Sequence, residues 1–251
     1  MIKLLSLIGF SLIFSAAGDE AIEARIFTNA AGDTLPYRIL KPAGYNSGEK
    51  FPLVLCLHGA GGRGTDNQSK GVQAFTTLSA PAVQAQYPAF LLTPQCPADA
   101  KWVDTPWEAG SYPLGNVPVS APMKLVLEIL DAVQKEFNID SARIYVTGQS
   151  MGGYGTWNII QHRPEIFAAA IPVCGGGDPS QAEKIAGIPI WAFHGGKDTT
   201  VPPSASRDMV EALKIAGGNI KYTEYPDVAH ASWVNAWKEP NILSWLFSQK
   251  K

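Results

Sequence analysis

The stretch Ala142-Arg143-Ile144-Tyr145-Val146-Thr147-Gly148-Gln149-Ser150-Met151-Gly152-Gly153-Tyr154-Gly155 decides how this chain is read. An apolar, β-branched run ends at Gly148, Ser150 follows, and a glycine-rich, helix-compatible segment begins. This is G-x-S-x-G between a strand and a helix, the setting in which the motif has physical content. A serine on so sharp a turn is forced into a strained backbone conformation that pushes its hydroxyl clear of the sheet. Side chains two residues either side would clash, which calls for Gly148 and Gly152. The helix starting behind the serine aims its free amide hydrogens, that of Met151 first, at the place where negative charge develops in acyl transfer. A plain glycine-rich turn would spell the same letters. The flanking elements and two partners downstream set this one apart.

A serine hydroxyl is a weak nucleophile near neutral pH and needs a base, and the base needs an acid to orient it. In parallel sheets such groups gather on loops at the carboxyl ends of strands. Of the four histidines, His162 lies at the far end of the nucleophile helix, roughly 18 Å away by helical rise. His58 opens a glycine-rich loop, and His194 precedes Gly195-Gly196; both suit loop bracing. His230 sits in the loop after the final expected strand, within reach of Ser150 over the sheet edge. The order serine, acid, histidine selects it as base. For the acid, Asp178 precedes Pro179 at the start of an expected helix, where capping accounts for it. Asp198, in His194-Gly195-Gly196-Lys197-Asp198, competes only with an Asx-turn and is the favoured acid. Asp227 is too near His230 in sequence and shapes its loop.

Around this centre the pattern is strand, loop, helix. Residues 21–28 and 34–41 form an expected β-hairpin across a Gly-bearing loop. Residues 51–57 are a continuous apolar run, suited to a strand buried on both faces. His58-Gly59-Ala60-Gly61-Gly62 follows, with the Ala60 amide as the second candidate oxyanion donor beside Met151. Strands are expected at 89–94, 167–173, 188–193 and 220–225. Helices are expected at 121–137, from Ser150 to about 163, at 204–215, and at 235–247 with a break near Pro240. The irregular stretch from Cys96 to Ala121 carries Trp102, Trp107 and Tyr112. Loops of this length inside a compact domain often serve function, and Trp102 and Trp107, with Trp233, are the candidate substrate-binding residues. Each tryptophan serves equally well as core cover. The expected fold is α/β: a mostly parallel sheet with an N-terminal antiparallel hairpin and helices on both faces.

Composition sets bounds. The chain has 251 residues, 46% hydrophobic and 17% charged, with net charge -2, which suits one globular α/β domain. Nothing in that balance favours nucleic acid or an anionic membrane as partner. Lys3, an apolar run over residues 4–14 and Ser15-Ala16-Ala17-Gly18 resemble a secretory signal peptide at 1–18, leaving one domain at 19–251. Export, into the periplasm or beyond, is the expectation. Cys56, Cys96 and Cys174 allow at most one internal bridge. Cys96 and Cys174 both follow strands, which makes them the candidate pair. No Cys/His spacing suggests a metal site, no cofactor is implied, and oligomeric state is not readable.

The ordered set His58-Gly59-Ala60-Gly61-Gly62, Gly148-Gln149-Ser150-Met151-Gly152, His194-Gly195-Gly196-Lys197-Asp198 and Ala229-His230 resembles the α/β-hydrolase superfamily. Arg63-Gly64-Thr65-Asp66-Asn67, Pro94-Gln95-Cys96-Pro97 and Trp102 add a likeness to secreted carboxylesterases near polyhydroxyalkanoate depolymerases, feruloyl esterases and predicted peptidases or phospholipases. Arg63 stands where many relatives carry an acid. The resemblance implies hydrolysis of a small-molecule or polymer-linked ester through an acyl-enzyme by Ser150, His230 and Asp198. The competing readings are amide or peptide hydrolysis by the same residues, and an inert hydrolase fold that binds carbohydrate or a partner.

Overall fold

The computed structural model describes residues 22–42, 44–46, 48–68 and 72–251. The expected signal peptide and Ala21 lie outside the described residues. Eight strands, β1 (Ile22–Thr28), β2 (Thr34–Leu40), β3 (Phe51–Leu57), β4 (Phe90–Pro94), β5 (Ile139–Gln149), β6 (Ala169–Val173), β7 (Ile190–Gly195) and β8 (Ile220–Tyr225), form one sheet in the order β1-β2-β4-β3-β5-β6-β7-β8. β1 and β2 pair antiparallel as a hairpin, and β2 meets β4 antiparallel. Every pairing from β4 through β8 is parallel. This is the expected mostly parallel sheet.

The helices are α1 (Gln73–Leu78), α2 (Pro81–Gln86), α3 (Ala121–Glu136), α4 (Met151–His162), α5 (Ala182–Ile185), α6 (Ser204–Ile215), α7 (Trp233–Ala236) and α8 (Ile242–Ser248). Side chains alternate across a strand, so a strand buried on both faces feeds two cores. Leu53, Leu55 and Leu57 of β3 join α3, α4 and α6 on one face, while Val54 and Cys56 join α1, α7 and α8 on the other. Each fully buried Leu or Ile contributes about 1.5–3 kcal/mol. α3 starts where the Ser120 hydroxyl accepts the Met123 amide and Pro122 occupies the first turn, both common at helix starts. The terminal helix is interrupted between Ala236 and Ile242, a stretch holding Pro240 and Asn241, whose φ of 66° is left-handed. α1 and α2 were not expected. Among the described residues no helix is long and apolar enough to cross a membrane.

The two motif glycines are required by close approach. A Cβ on Gly152 would lie 2.0 Å from the Leu57 carbonyl oxygen, and one on Gly148 2.2 Å from the Gly152 carbonyl oxygen. Both obstacles are backbone, so neither can swing aside. We therefore expect Gly152→Ala to lose about 3 kcal/mol of stability or to fail to fold. Urea unfolding against wild type measures this, and an unchanged midpoint would contradict it.

Candidate active site

The end of β5 delivers Ser150 at φ 56° and ψ −120°. Such a conformation is costly for a residue with a Cβ. It is held because the Ser150 amide donates to the Val173 carbonyl at 2.9 Å and because α4 begins at the next residue. The loop after β8 brings His230 over the sheet edge. Its Nε2 lies 2.8 Å from Ser150 Oγ, and its Nδ1 lies 2.7 Å from Asp198 Oδ2. A carboxylate only accepts, so Nδ1 carries hydrogen and Nε2 faces the serine hydroxyl. Asp198 Oδ1 accepts from the Thr200 and Val201 amides at 2.9 and 3.0 Å. Burial alone would raise the Asp198 pKa, but donors from His194, His230 and Val201 outweigh it. They hold this carboxyl well below the ordinary range.

Residues 150, 198 and 230, distant in sequence, are thus brought into one hydrogen-bonded chain. A cleft of about 540 Å³ opens over them, lined by Gly59, Ala60, Gly61, Gly62, Trp107, Gln149, Thr200 and Trp233. Met151 is the first residue of α4 and Ala60 the first of the short 3-10 turn Ala60–Gly62, so each amide stands at a helix start, where it has no partner within the helix. Trp107 and Trp233 stand on the cleft, the latter edge-on to the His230 ring at 5.3 Å between centroids.

Trp102 does not line the cleft, and its expected place in the substrate wall is corrected. It is fully buried, its indole nitrogen donates to the His58 carbonyl at 3.0 Å, and its ring packs against the His58 imidazole. Asp178 caps the turn at Pro179–Gln181, accepting from the Ser180 amide, and also accepts from the Leu114 amide. Asp227 pairs with Lys197 on the surface of the histidine loop. Arg63 spans the glycine loop, with Nε donating to the Ala60 carbonyl at 3.0 Å. The three cysteines are buried and unpaired, so the Cys96–Cys174 bridge is not formed. Cys174, Asp198 and His230 offer donor atoms within 4.8 Å of one another. Those of Asp198 and His230 are engaged with each other, and burial pushes the thiol up to about 12. The reading from sequence did not single out Gln149 and Thr200 in the cleft. Gln149, inside the motif, accepts a hydrogen bond on its side-chain oxygen from the Gln73 amide at the start of α1.

His58 braces the glycine loop, as its position suggested. Nε2 accepts from the Cys96 amide at 2.9 Å, so the hydrogen lies on Nδ1 and is directed at the Gly59 carbonyl, 2.6 Å away. Burial lowers its pKa to about 4; the Gly59 contact opposes this and the Arg63 charge adds to it.

The sheet order, the serine elbow and the three loops together make an α/β-hydrolase fold. The sequence profile of the Dienelactone hydrolase family matches residues 117–239. A putative carboxymethylenebutenolidase of Escherichia coli (strain K12) is 32% identical over 101 residues, 37% of each chain. A bifunctional acetylxylan esterase/xylanase of Neocallimastix patriciarum is 38% identical over 95 residues, 35% of this chain and 14% of that protein. The crystal structure of a thermostable esterase superposes with a TM-score of 0.84 at 39% identity, covering 92% of this chain and 64% of the esterase. The chain therefore spans little more than a third of the curated carboxymethylenebutenolidase it matches.

The depressed His58 pKa fixes the sign of a pH effect. A group whose folded pKa lies below its unfolded value adds stability above the unfolded value, and that stability is lost as pH falls toward the folded one. Between pH 6.5 and 4 the unfolded chain takes up a proton that folded His58 refuses, worth about 2–3 kcal/mol by pH 4.5. Urea midpoints at pH 7 and 4.5 should show this loss in wild type and a smaller one in His58→Gln. Equal losses in the two proteins would refute it.

Proposed function

We propose that this protein hydrolyses carboxylic esters through an acyl-enzyme. The observation that carries the reading is the unbroken chain Ser150–His230–Asp198 under an open cleft. Ser150 Oγ attacks the ester carbonyl while His230 Nε2 takes its proton. Asp198 holds the imidazole and stabilises the imidazolium. The amides of Ala60 and Met151 receive the oxyanion. His230 returns the proton to the leaving alcohol, then draws one from the water that releases the acid. The thermostable esterase at 39% identity supports this chemistry. The serine at position 150 is an oxygen nucleophile weak enough to need such a base.

Trp107 and Trp233 give the substrate flat apolar walls, and the glycine floor presents backbone rather than side chains. This suits an acyl or alcohol group bearing a ring, whether free or attached to a polymer. The leader at residues 1–18 is consistent with export of a single domain at 19–251.

A p-nitrophenyl ester and a p-nitroanilide of the same acyl group test the reading together. Turnover of the ester is expected, with Ser150→Ala and His230→Ala each lowering kcat by about 10⁴-fold or more. A fluorophosphonate probe should label wild type at Ser150. Turnover of the anilide alone would replace the esterase reading with amide hydrolysis. An unlabelled serine and no turnover of either compound would leave a binding protein.

A further inference from the structure

Asp198 is touched by two imidazoles. His194, at the end of β7, is fully buried. Its Nε2 lies 3.0 Å from the Val201 carbonyl oxygen and 3.4 Å from Asp198 Oδ2, the same oxygen that His230 holds. Both neighbours only accept, so Nε2 bears hydrogen. Its Nδ1 is 2.7 Å from Ser206 Oγ on α6, which in turn lies 3.0 Å from the Gly175 carbonyl. A brace for the 198–201 loop would need only the Val201 contact. The approach to Oδ2 goes beyond that.

We propose that His194 is a positioning residue for the site: its buried Nε2–H takes up part of the Asp198 charge and so sets how strongly that carboxylate draws on His230. The proposal rests on the triad reading above. The physical reasoning is electrostatic. The more donors a carboxylate serves, the less negative potential it projects onto a neighbouring imidazole, and the less the imidazolium is favoured. Other groups face the same pair. Thr200 and Val201 amides hold Oδ1. The Cys174 thiol is close to both Asp198 and His230, and the Tyr154 hydroxyl feels the Asp198 charge. Glu224, opposite His194 in the β7–β8 register, is paired with Arg207. Of these, Val201 and Glu224 also meet His194, so the two variants at 194 are read against each other.

Two substitutions separate positioning from packing. In His194→Gln the amide reaches the place of Nε2 and restores a donor toward Asp198. In His194→Asn the amide reaches only the place of Nδ1 and serves Ser206. Proton NMR titration of the His230 ring needs no substrate, and the pH profile of kcat/KM on the p-nitrophenyl ester reads the same group during turnover. In His194→Asn the His230 midpoint and the acidic limb should both rise by about half a pH unit or more. In His194→Gln they should stay near wild type. Midpoints unmoved in both variants, or moved equally, would overturn the proposal. So would ¹⁵N shifts of the wild-type His194 ring showing hydrogen on Nδ1 alone, a measurement that requires no variant. If the ester is not turned over but the His230 midpoint moves as stated, the esterase reading fails and the coupling stands.

Discussion

The contact on which the rest depends is backbone against backbone. The first turn of α4 lies on the end of β3 so closely that Gly152 has no room for a side chain before the Leu57 carbonyl. That approach holds Ser150 in its positive-φ conformation, a cost of about 1–3 kcal/mol. The cost is offset by α4 itself, which is buried on nearly every side between the strands and α3, α5 and α6. From the elbow, position is passed along the sheet edge. The Ser150 amide bonds to Val173, and the Cys174 amide bonds to Phe193 at 2.8 Å. The Gly196 amide bonds to Tyr225, and the Lys197 amide bonds to Val228, two residues before His230. Each loop of the site is therefore tied to its neighbour by main chain, and the geometry of the three side chains follows from the ladder.

Three histidines stand at this one edge, and their surroundings divide the work. His58 spends both ring nitrogens on backbone. His194 is enclosed and spends its nitrogens on Ser206 and Val201. Only His230 combines a fixed Nδ1 with a partly exposed ring, 25% by side chain, and an Nε2 directed at a hydroxyl beside the cleft. In the proposed reaction Nε2 takes up a proton and gives it back within a turnover, and only the third ring has both an acid behind it and open space in front.

The sheet and the serine–histidine–aspartate order were legible because both rest on patterns with strong physical causes. Buried parallel strands tend to read as continuous apolar runs, as residues 51–57 and 144–146 do. Functional groups of such sheets gather at the carboxyl ends of strands, and Ser150, Asp198 and His230 fall just past strand ends. α1 and α2 were not legible: six residues each hold too few turns for Ala74, Leu78 and Val83 to display a helical period. The tryptophans of the long loop defeated the sequence for a different reason. Trp102 and Trp107 sit in the same proline- and glycine-rich composition. What separates them is one hydrogen bond, from the Trp102 indole to the His58 carbonyl, which no local pattern announces. The role of His194 was half legible. Its place before two glycines suggested a brace, but its closeness to the Asp198 carboxylate depends on how the loop folds back.

The cleft wall is referenced to the same helix that positions the nucleophile. Tyr154, one turn beyond Ser150 on α4, approaches the Trp107 carbonyl at 2.8 Å and the Gly110 carbonyl at 3.0 Å with its hydroxyl. One turn further, the Asn158 amide donates to the Tyr112 hydroxyl at 3.2 Å. The irregular loop is thus pinned at several points to α4, rather than resting on the sheet alone. A shift of that helix would carry the Ser150 elbow and the Trp107 wall together. In the proposed reading the Ser150 hydroxyl and the Trp107 wall then share one reference, so a floor of glycine backbone can meet a defined substrate although it offers no side chains of its own.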